Sequence, residues 1–336
     1  MQVIPERMRQ VPGYRLQVQF QSERTRKRMM LRNRVSSIYG QASHGENRPI
    51  GNPPDIARSY ESREIDWHKE LGVDKSIPIG NMSCCMIGGD RILVSVRQFN
   101  YRMGAPKESQ WTAGGFWNGR ANHFAIADMD FNFVKKVECD RMEMIEDLRI
   151  VPYGDVVQAS GTDISFGRKK CKIAVFDIDA RSMAVKSKTY FDFVRQKNFM
   201  PVEDGKGVFV SDIGNGQIDI AEIRNPAKKT RQSCLGIIPY SGSTQLVRHE
   251  DGYVCVIHRH VKRQYVNAFA FFDRKLLTCR ISDEFAVFSD VSPVSFCCGM
   301  SICGDTAVIP FCVNDGETHL FRLPLSDFRK TARMRS

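Results

Sequence analysis

The chain contains no apolar run as long as the roughly 20 residues that a membrane-spanning helix requires. Its first residues are basic and lack an apolar core, so they do not indicate a signal peptide. Helical periodicity is weak along the whole sequence. The eleven cysteines include no Cys-x-x-Cys pair, and a chain of this length and apolar content needs no disulfide scaffold. We therefore expect a cytoplasmic protein with reduced, mostly buried thiols.

Acidic residues are scarce near the N-terminus. Residues 1–34 hold only Glu6 and Glu23 against nine basic residues, and the whole chain has a formal net charge of +11. Such an excess is typical of proteins with an anionic partner, for example nucleic acid, a membrane surface, a phosphorylated sugar or a nucleotide sugar. Because only Tyr14 and Phe20 are aromatic in this segment, we expect a solvated extension rather than a nucleic-acid interface. The extension could also mediate contacts in a homo-oligomer.

The character of the sequence changes near residue 77. Residues 36–58 are rich in Gly, Pro, Ser and Asn, which is typical of a linker or a surface arm, and residues 60–72 have room for one short helix. We therefore expect residues 1–76 to form a basic N-terminal extension with a linker, and residues 77–330 to form the main domain.

Short apolar runs, separated by Gly, Asp and Asn, dominate the sequence after residue 77. They are Ile92–Val96, His123–Ala127, Ile150–Ala159, Lys172–Ile178, Gly207–Val210, Tyr253–His258, Ala268–Phe272, Ala307–Phe311 and Leu320–Leu323. Many short strands indicate a sandwich, a barrel or a propeller. The similar segments FAIADMD, CKIAVFDID, NAFAFFD and THLFRLPL recur along the chain and favour the propeller. We predict an all-β protein, a five-bladed β-propeller with a basic N-terminal extension.

One polar cluster follows the first of these runs. Arg97, Asn100 and Tyr101 offer a guanidinium, an amide and a phenol within five residues. These groups suit sugar hydroxyls or a phosphate, although an ordinary loop with a solvated arginine would have the same composition.

A second cluster opens a strand-like run with two carboxylates and a guanidinium, Glu146, Asp147 and Arg149. Burying such charges in a strand is unfavourable unless they pair or take part in chemistry. A carboxylate beside a guanidinium indicates either a structural ion pair or a positioned acid, depending on its burial.

Three later clusters give weaker signals. Their candidate residues are Lys197, Asn198, Ser243, His258 and Asp315. A lysine before a strand can bind an anion, and small hydroxyl residues at a turn let backbone N–H groups approach a ligand. His258 and His260 share one face of a strand, which suits a metal or a phosphate, but no third metal ligand is in view. Asp315 lies in Asn-Asp-Gly, which also favours a plain turn. We expect neither a metal nor a cofactor.

Taken in order, these clusters resemble the five-bladed propellers of glycoside hydrolase family 130, the β-mannoside phosphorylases, and the related β-mannosyltransferases. The resemblance covers roughly residues 90–325. The Glu-Asp-Pro-Arg motif of that family is similar to EDLR at 146–149, and its Lys-Asn segment to KN at 197–198. Its Gly-rich turn before a strand ending in His is similar to SGS at 241–243 and DGYVCVIHRH, and its last blade to residues 296–299 and VNDGETHL. A bacterial branch of such propellers also has Arg-Gln-x-Asn-Tyr and Glu-Asp-x-Arg.

The resemblance implies inverting glycosyl transfer on a manno-configured glycoside, with phosphate or a nucleotide sugar as the partner. Asp147 would give or take the proton through a sugar hydroxyl, and Arg149 would orient it and contact the sugar. Arg97, Lys197 and His258 would hold the phosphate. The remaining substrate-binding residues would be Asn100, Tyr101, Glu146, Asn198, Ser243 and Asp315. One clear acidic motif among many cations favours chemistry that includes a phosphate over plain hydrolysis, which needs two separated carboxylates.

Three departures from the family pattern keep a second hypothesis open. Leu148 replaces a proline, and Ser241 and Ser243 replace glycines. A propeller that has lost its catalytic acid can still keep a sugar site, so a non-catalytic carbohydrate-binding propeller is the alternative.

Overall fold

The computed structural model describes eleven stretches of the chain. They are residues 53–75, 77–99, 121–139, 142–166, 170–193, 197–214, 216–235, 240–261, 264–288, 295–313 and 316–334. The basic segment 1–34 and the candidates Asn100, Tyr101 and Asp315 lie outside these described residues.

The first described elements are a 3-10 helix, a strand and a short α-helix. They are the 3-10 helix Ile56–Arg58, strand β1 (Ser62–Glu64) and helix α1 (Trp67–Leu71). Asp66 begins α1, since its carboxylate accepts a hydrogen bond of 3.1 Å from the backbone N–H of Lys69. Gly72 ends the helix in the left-handed conformation, with a φ of 66°. The interval 60–72 therefore holds the one short helix that the sequence predicts.

Five antiparallel sheets, the blades, follow one another along the chain. Blade 1 consists of β2 (Ile79–Ile87), β3 (Arg91–Gln98), β4 (Asn122–Asp128) and β5 (Phe133–Val137). Blade 2 consists of β6 (Ile145–Tyr153), β7 (Val156–Asp163), β8 (Lys172–Asp179) and β9 (Val185–Tyr190). Blade 3 consists of β10 (Met200–Pro201), β11 (Val208–Gly214), β12 (Gln217–Glu222) and β13 (Lys229–Ser233).

The innermost strand of each of the last two blades is split into two short pieces. Blade 4 consists of β14 (Ser241–Gly242), β15 (Val247–His249), β16 (Gly252–Val261), β17 (Gln264–Asp273) and β18 (Cys279–Ile281). Blade 5 contains β19 (Ser295–Phe296), β20 (Ser301–Cys303), β21 (Thr306–Val313) and β22 (Glu317–Pro324), and helix α2 (Leu325–Thr331) follows it. The arrangement is the all-β five-bladed propeller predicted from the sequence.

Blade 5 takes its outermost strand from the other end of the described chain. Strand β1 pairs antiparallel with β22, with Ser62 opposite Phe321 and Glu64 opposite His319. Because β1 precedes blade 1 in the described chain and pairs with blade 5, it links the first blade to the last and closes the ring.

The repeat seen in the sequence corresponds to one position in the blade. The four similar segments coincide with β4, β8, β17 and β22, each the third strand from the axis. In three of them the closing aspartate begins the turn to the next strand. Asp128, Asp179 and Asp273 each accept hydrogen bonds from backbone N–H groups two to five residues further on. The repeated aspartate is therefore a turn-forming residue.

Burial differs between the middle and the outer strands. Strands β3, β7 and β21 are buried along nearly their whole length because neighbouring blades cover both of their faces. The outer strands β5, β9 and β13 are largely exposed and carry several lysines. Charged outer edges of this kind discourage pairing with a second sheet.

One predicted strand is wrong. The run Ile150–Ala159 is not a single strand, because Gly154 has a φ of 62° and turns the chain from β6 into β7. The apolar residues on both sides of a two-residue turn look continuous in the sequence, which explains the error.

All eleven cysteines lie in the described stretches, where they are thiols and not disulfides. Cys84 and Cys85 share strand β2, where successive side chains point to opposite faces. Within the part of the chain that the structure covers, every helix falls short of the length and hydrophobicity that a membrane-spanning helix requires.

Candidate functional site

Three successive blades have the same backbone feature near the start of their innermost strand. Asn81, Asp147 and Asn198 all have positive φ, at 44°, 55° and 61°. In blades 1 and 2 the pairing register shifts at this point, as it does at a β-bulge. Asn and Asp tolerate this conformation better than other side-chain-bearing residues, and such strained positions are frequent at functional sites. The repeated feature brings polar groups of three blades together at one end of the axis.

Arg97, the second-last residue of β3, holds both acidic side chains of the EDLR segment. Its Nη1 donates to Asp147 Oδ1 at 2.7 Å, and its Nη2 donates to Glu146 Oε1 at 2.9 Å. The Arg97 side chain is only 5% exposed, and the carboxylates are 10% and 15% exposed. Charge-assisted bonds of this length in a poorly hydrated place are strong and fix the geometry of the three groups. We call Arg97, Glu146 and Asp147 the carboxylate clamp.

Lys197 and Asn81 also donate hydrogen bonds to the carboxylates of the clamp. Lys197 Nζ donates to Glu146 Oε2 at 3.0 Å, and Asn81 Nδ2 donates to Asp147 Oδ1 at 3.0 Å. The lysine side chain is about half exposed, so its ammonium stays accessible to a ligand.

The charges around Asp147 decide its protonation. Burial alone would raise the pKa of this carboxyl, but the positive charges of Arg97, Arg149 and Lys197 lower it below its usual value. The hydrogen bond from Asn81 acts in the same direction. Asp147 is therefore ionised at neutral pH.

Arg149 connects three blades. It is 2% exposed, and its Nε donates to the backbone oxygen of Ser243 at 2.7 Å. Its Nη1 donates to the backbone oxygen of Asp147 at 3.0 Å, and its Nη2 to Asn198 Oδ1 at 3.2 Å. The guanidinium thereby fixes the strained peptide of Asp147, and it supplies positive charge from within the protein.

Ser243 and His258 form a buried pair beside this arginine. Ser243 Oγ lies 2.7 Å from His258 Nδ1, and both residues are almost fully buried. Burial, together with the positive charge of Arg149 and the neighbouring His260, lowers the pKa of His258 to about 3. His258 is therefore a neutral imidazole at physiological pH, with the aromatic rings of Tyr265 and Phe296 around it.

Leu148 faces away from the site. Its side chain is 1% exposed and belongs to the apolar core between blades 1 and 2. A Cβ on Gly161 would lie 3.1 Å from Leu148 Cδ2 and 2.8 Å from the backbone oxygen of Glu146, so the bulge needs a glycine there. Leu148 thus packs beneath the clamp and takes no part in its polar contacts.

The structure brings together every candidate that it describes. One hydrogen-bonded network contains Arg97, Glu146, Asp147, Arg149, Lys197, Asn198, Ser243 and His258. Asn81 belongs to the same network, and the sequence reasoning missed it. Its signal was the match between Asn81 and Asp147, each followed by an apolar residue near the start of an innermost strand.

His258 and His260 do not make a metal site with the residues described. Their ring centres are 6.5 Å apart, and His260 is exposed whereas His258 is buried. Across the described stretches, no group of three or more His, Cys, Asp or Glu side chains is arranged to hold a metal ion.

Solved structures share this fold. The β-1,2-mannobiose phosphorylase of Listeria innocua, in complex with β-1,2-mannobiose, is similar with a TM-score of 0.55 and 13% identity, covering 81% of this chain and 99% of that one. MPT-4, a mannose phosphorylase of Leishmania mexicana in complex with phosphate, has a TM-score of 0.50 and 12% identity, covering 78% of this chain and 88% of the other. A GH43_1 enzyme of Xanthomonas citri has a TM-score of 0.50 and 8% identity, covering 80% and 91%.

No protein-family model matches the chain. No curated protein matches it either. At these low identities the structural similarity establishes the fold that the resemblance implied, a five-bladed propeller of the kind found in mannoside phosphorylases and other glycoside-active enzymes.

Proposed function

We propose that the chain is a carbohydrate-active enzyme that transfers a glycosyl group, with phosphate or a sugar phosphate as its partner. The observation that carries this proposal is Asp147, a partly exposed carboxylate on a strained backbone, held by Arg97 and Asn81 at the axis of the propeller. Strain of this kind, together with buried charge, is typical of catalytic positions.

The balance of charge favours chemistry with a phosphate. Inverting hydrolysis uses two carboxylates about 6.5–9.5 Å apart, with a water between one of them and the sugar. Here Glu146 and Asp147 bind adjacent nitrogens of the same guanidinium, which leaves no such gap. Arg97, Arg149 and Lys197 outnumber the two carboxylates, and Lys197 is accessible to an anionic ligand. In hydrolysis a second, separated carboxylate activates a water as the nucleophile. Here phosphate would be the nucleophile instead.

Phosphate binding would also prepare Asp147 as an acid. The surrounding cations lower the pKa of Asp147, so the carboxyl is ionised at neutral pH. A bound phosphate dianion offsets those charges, and the pKa of Asp147 rises toward the value that burial alone would give. A phosphate oxygen then attacks the anomeric carbon, the glycosidic C–O bond breaks, and the leaving oxygen receives the proton of Asp147 through a sugar hydroxyl. In the reverse direction Asp147 accepts that proton.

The surrounding residues have separate roles in this proposal. Arg149 positions the Asp147 peptide and does not reach the sugar, because it is buried and bonded to protein oxygens. Ser243 lies within hydrogen-bond distance of the neutral imidazole of His258, and contact between His258 and the phosphate stays a prediction. Asn100, Tyr101 and Asp315 stay predictions for the binding of sugar hydroxyls.

The experiment is a pair of activity assays. The protein is incubated with β-mannosides and inorganic phosphate, and separately with GDP-mannose and an oligosaccharide acceptor. We expect mannose 1-phosphate in the first assay or a new glycoside in the second, and a loss of at least about 100-fold for Asp147→Asn. The exposed Asp130→Asn is the matched control and should keep full activity. No product in either assay, or an active Asp147→Asn protein, contradicts the enzyme proposal.

A non-catalytic sugar-binding propeller is the second candidate. The lowered pKa of Asp147 favours it, since an ionised carboxylate accepts hydrogen bonds from sugar hydroxyls but cannot donate a proton. Sugar binding that persists in Asp147→Asn, measured by calorimetry in the absence of turnover, would select this function over catalysis.

A further inference from the structure

A cavity lies at the end of the propeller axis opposite the carboxylate clamp. It has a volume of about 680 Å³, within the range of small-molecule sites, and all five blades line it. One lining residue from each blade is Met86, Tyr153, Glu203, Arg248 and Ile302. Strand β6 runs from the carboxylate clamp at its start to Tyr153 at its end, which separates the two places by roughly 20 Å.

Buried polar side chains fill the axis between the clamp and this cavity. Gln245 Nε2 donates to the backbone oxygens of Cys84 at 3.0 Å and Met300 at 2.7 Å, and so ties blades 1, 4 and 5 together. Ser83 Oγ donates to the backbone oxygen of Cys298 and accepts from the N–H of Ile150, which adds blade 2. The cavity is thus a place distinct from the candidate active site.

The charges in the cavity are unevenly matched. Asp204 accepts a hydrogen bond of 2.8 Å from Arg248 Nη1, and Glu250 pairs with Arg329. Among the described residues, Glu203 accepts one hydrogen bond, from the backbone N–H of Arg248 at 2.5 Å, and it forms no ion pair with a cationic side chain. The Arg248 guanidinium acts on Glu203 through its charge but is bonded to Asp204. Glu203 is only partly exposed, so it also lacks full hydration.

The surroundings of Glu203 favour the binding of a cationic ligand, because His249 does not supply a positive charge near pH 7. Burial, together with the negative charge of Asp204, raises the pKa of the Glu203 carboxyl, whereas the backbone N–H and the positive charge of Arg248 act in the opposite direction. His249, which also lines the cavity, has a pKa lowered chiefly by burial, so it is neutral near pH 7. A partly buried carboxylate of this kind gains most from a ligand that brings its own positive charge.

The rest of the lining sets the shape of the ligand. Met86, Pro152 and Ile302 are the partly exposed apolar side chains that line the cavity walls, whereas Asp204 and Glu250 lie exposed at its rim. We propose that the cavity binds a small alkylamine, with its ammonium on Glu203, its alkyl chain along these walls and a second polar end toward the rim. The overall charge of the protein is positive, so this acidic cavity stands apart from the average surface.

Calorimetry on the full chain tests the proposal, with putrescine as the probe and 1,4-butanediol as its neutral match. We expect putrescine to bind and the diol not to bind. Glu203→Gln keeps the shape of the side chain and should weaken putrescine at least about tenfold, the range of one charge-assisted hydrogen bond. Glu222→Gln, outside the cavity, and Asp147→Asn, at the other mouth, should leave the affinity unchanged.

Three results would overturn the amine site. They are equal binding of the diol and the diamine, an unchanged affinity in Glu203→Gln, and binding of calcium chloride without binding of putrescine. The comparison of putrescine with the diol on the unmodified protein is decisive even where the Glu203→Gln variant does not fold. The amine-site proposal does not depend on the glycosyl-transfer proposal, so a result that contradicts one does not contradict the other.

Discussion

Replacing Arg97 by methionine removes the guanidinium that holds both carboxylates of the clamp. The arginine side chain is 5% exposed and donates bonds of 2.7 and 2.9 Å, so the carboxylates lose a buried partner. Removing one member of a buried pair destabilises a protein by about 3–5 kcal/mol. Lys197 still binds Glu146 and Asn81 still binds Asp147, so we expect the lower end, about 3 kcal/mol at pH 7.

The loss of stability should depend on pH in a defined direction. In the native protein the pKa of Asp147 lies below its unfolded value, so this group stabilises the fold above that value and ceases to do so at lower pH. Without Arg97, two adjacent carboxylates raise the pKa of at least one of them above the unfolded value. The variant then takes up a proton on folding. Its loss of unfolding free energy relative to the unmodified protein therefore becomes smaller as the pH falls from 7 to 4.

Urea denaturation at several pH values measures this effect. Arg322→Met is the matched control, since Arg322 pairs with Asp130 at the surface, and its loss should be within about 0.5 kcal/mol at every pH. A deficit for Arg97→Met below about 1 kcal/mol, or one that does not change with pH, would refute the view that Arg97 is the essential partner of both carboxylates.

Two further predictions concern the surroundings of the clamp. The ring signals of His258 should not titrate between pH 5 and 8 in NMR spectra, because its pKa is about 3; a midpoint near 6.5 would show a hydrated ring. Gly161→Ala would place a Cβ 2.5 Å from Ile145 Cγ2 and 2.8 Å from the backbone oxygen of Glu146. It should lower the free energy of unfolding by about 1–3 kcal/mol and reduce activity by moving the bulge, and unchanged urea curves would contradict this account.

The repeated third strand made the fold predictable from the sequence. Each such segment is an apolar run closed by a polar turn, and in three of them an aspartate accepts the backbone N–H groups of that turn. These hydrogen bonds join residues that are close in the sequence, so the turns can be recognised from the sequence itself. The run Ile150–Ala159 misled the prediction for the same reason, since a tight turn at Gly154 leaves almost no polar gap.

The site was predictable only as a set of residue types. Arg97 and Asp147 were recognised as separate clusters, but nothing local indicated that one guanidinium would bind both Glu146 and Asp147. Asn81 was missed because its flanking sequence, Gly-Asn-Met-Ser, holds no charge. The contacts of Arg149 with the backbone of Asp147 and Ser243, which make it a positioning group, also had no local signal.

The sequence by itself determined the strand-rich class, the blade repeat and the chemical groups available, because these depend on neighbours along the chain. The tertiary structure decided which groups meet and in what state. Arg97 and Asp147 are 50 residues apart in sequence, and Arg149 and Ser243 are 94 apart, yet each pair is in contact near the axis. Closure of the ring brings the starts of the innermost strands together, and burial there sets the pKa of Asp147 and His258.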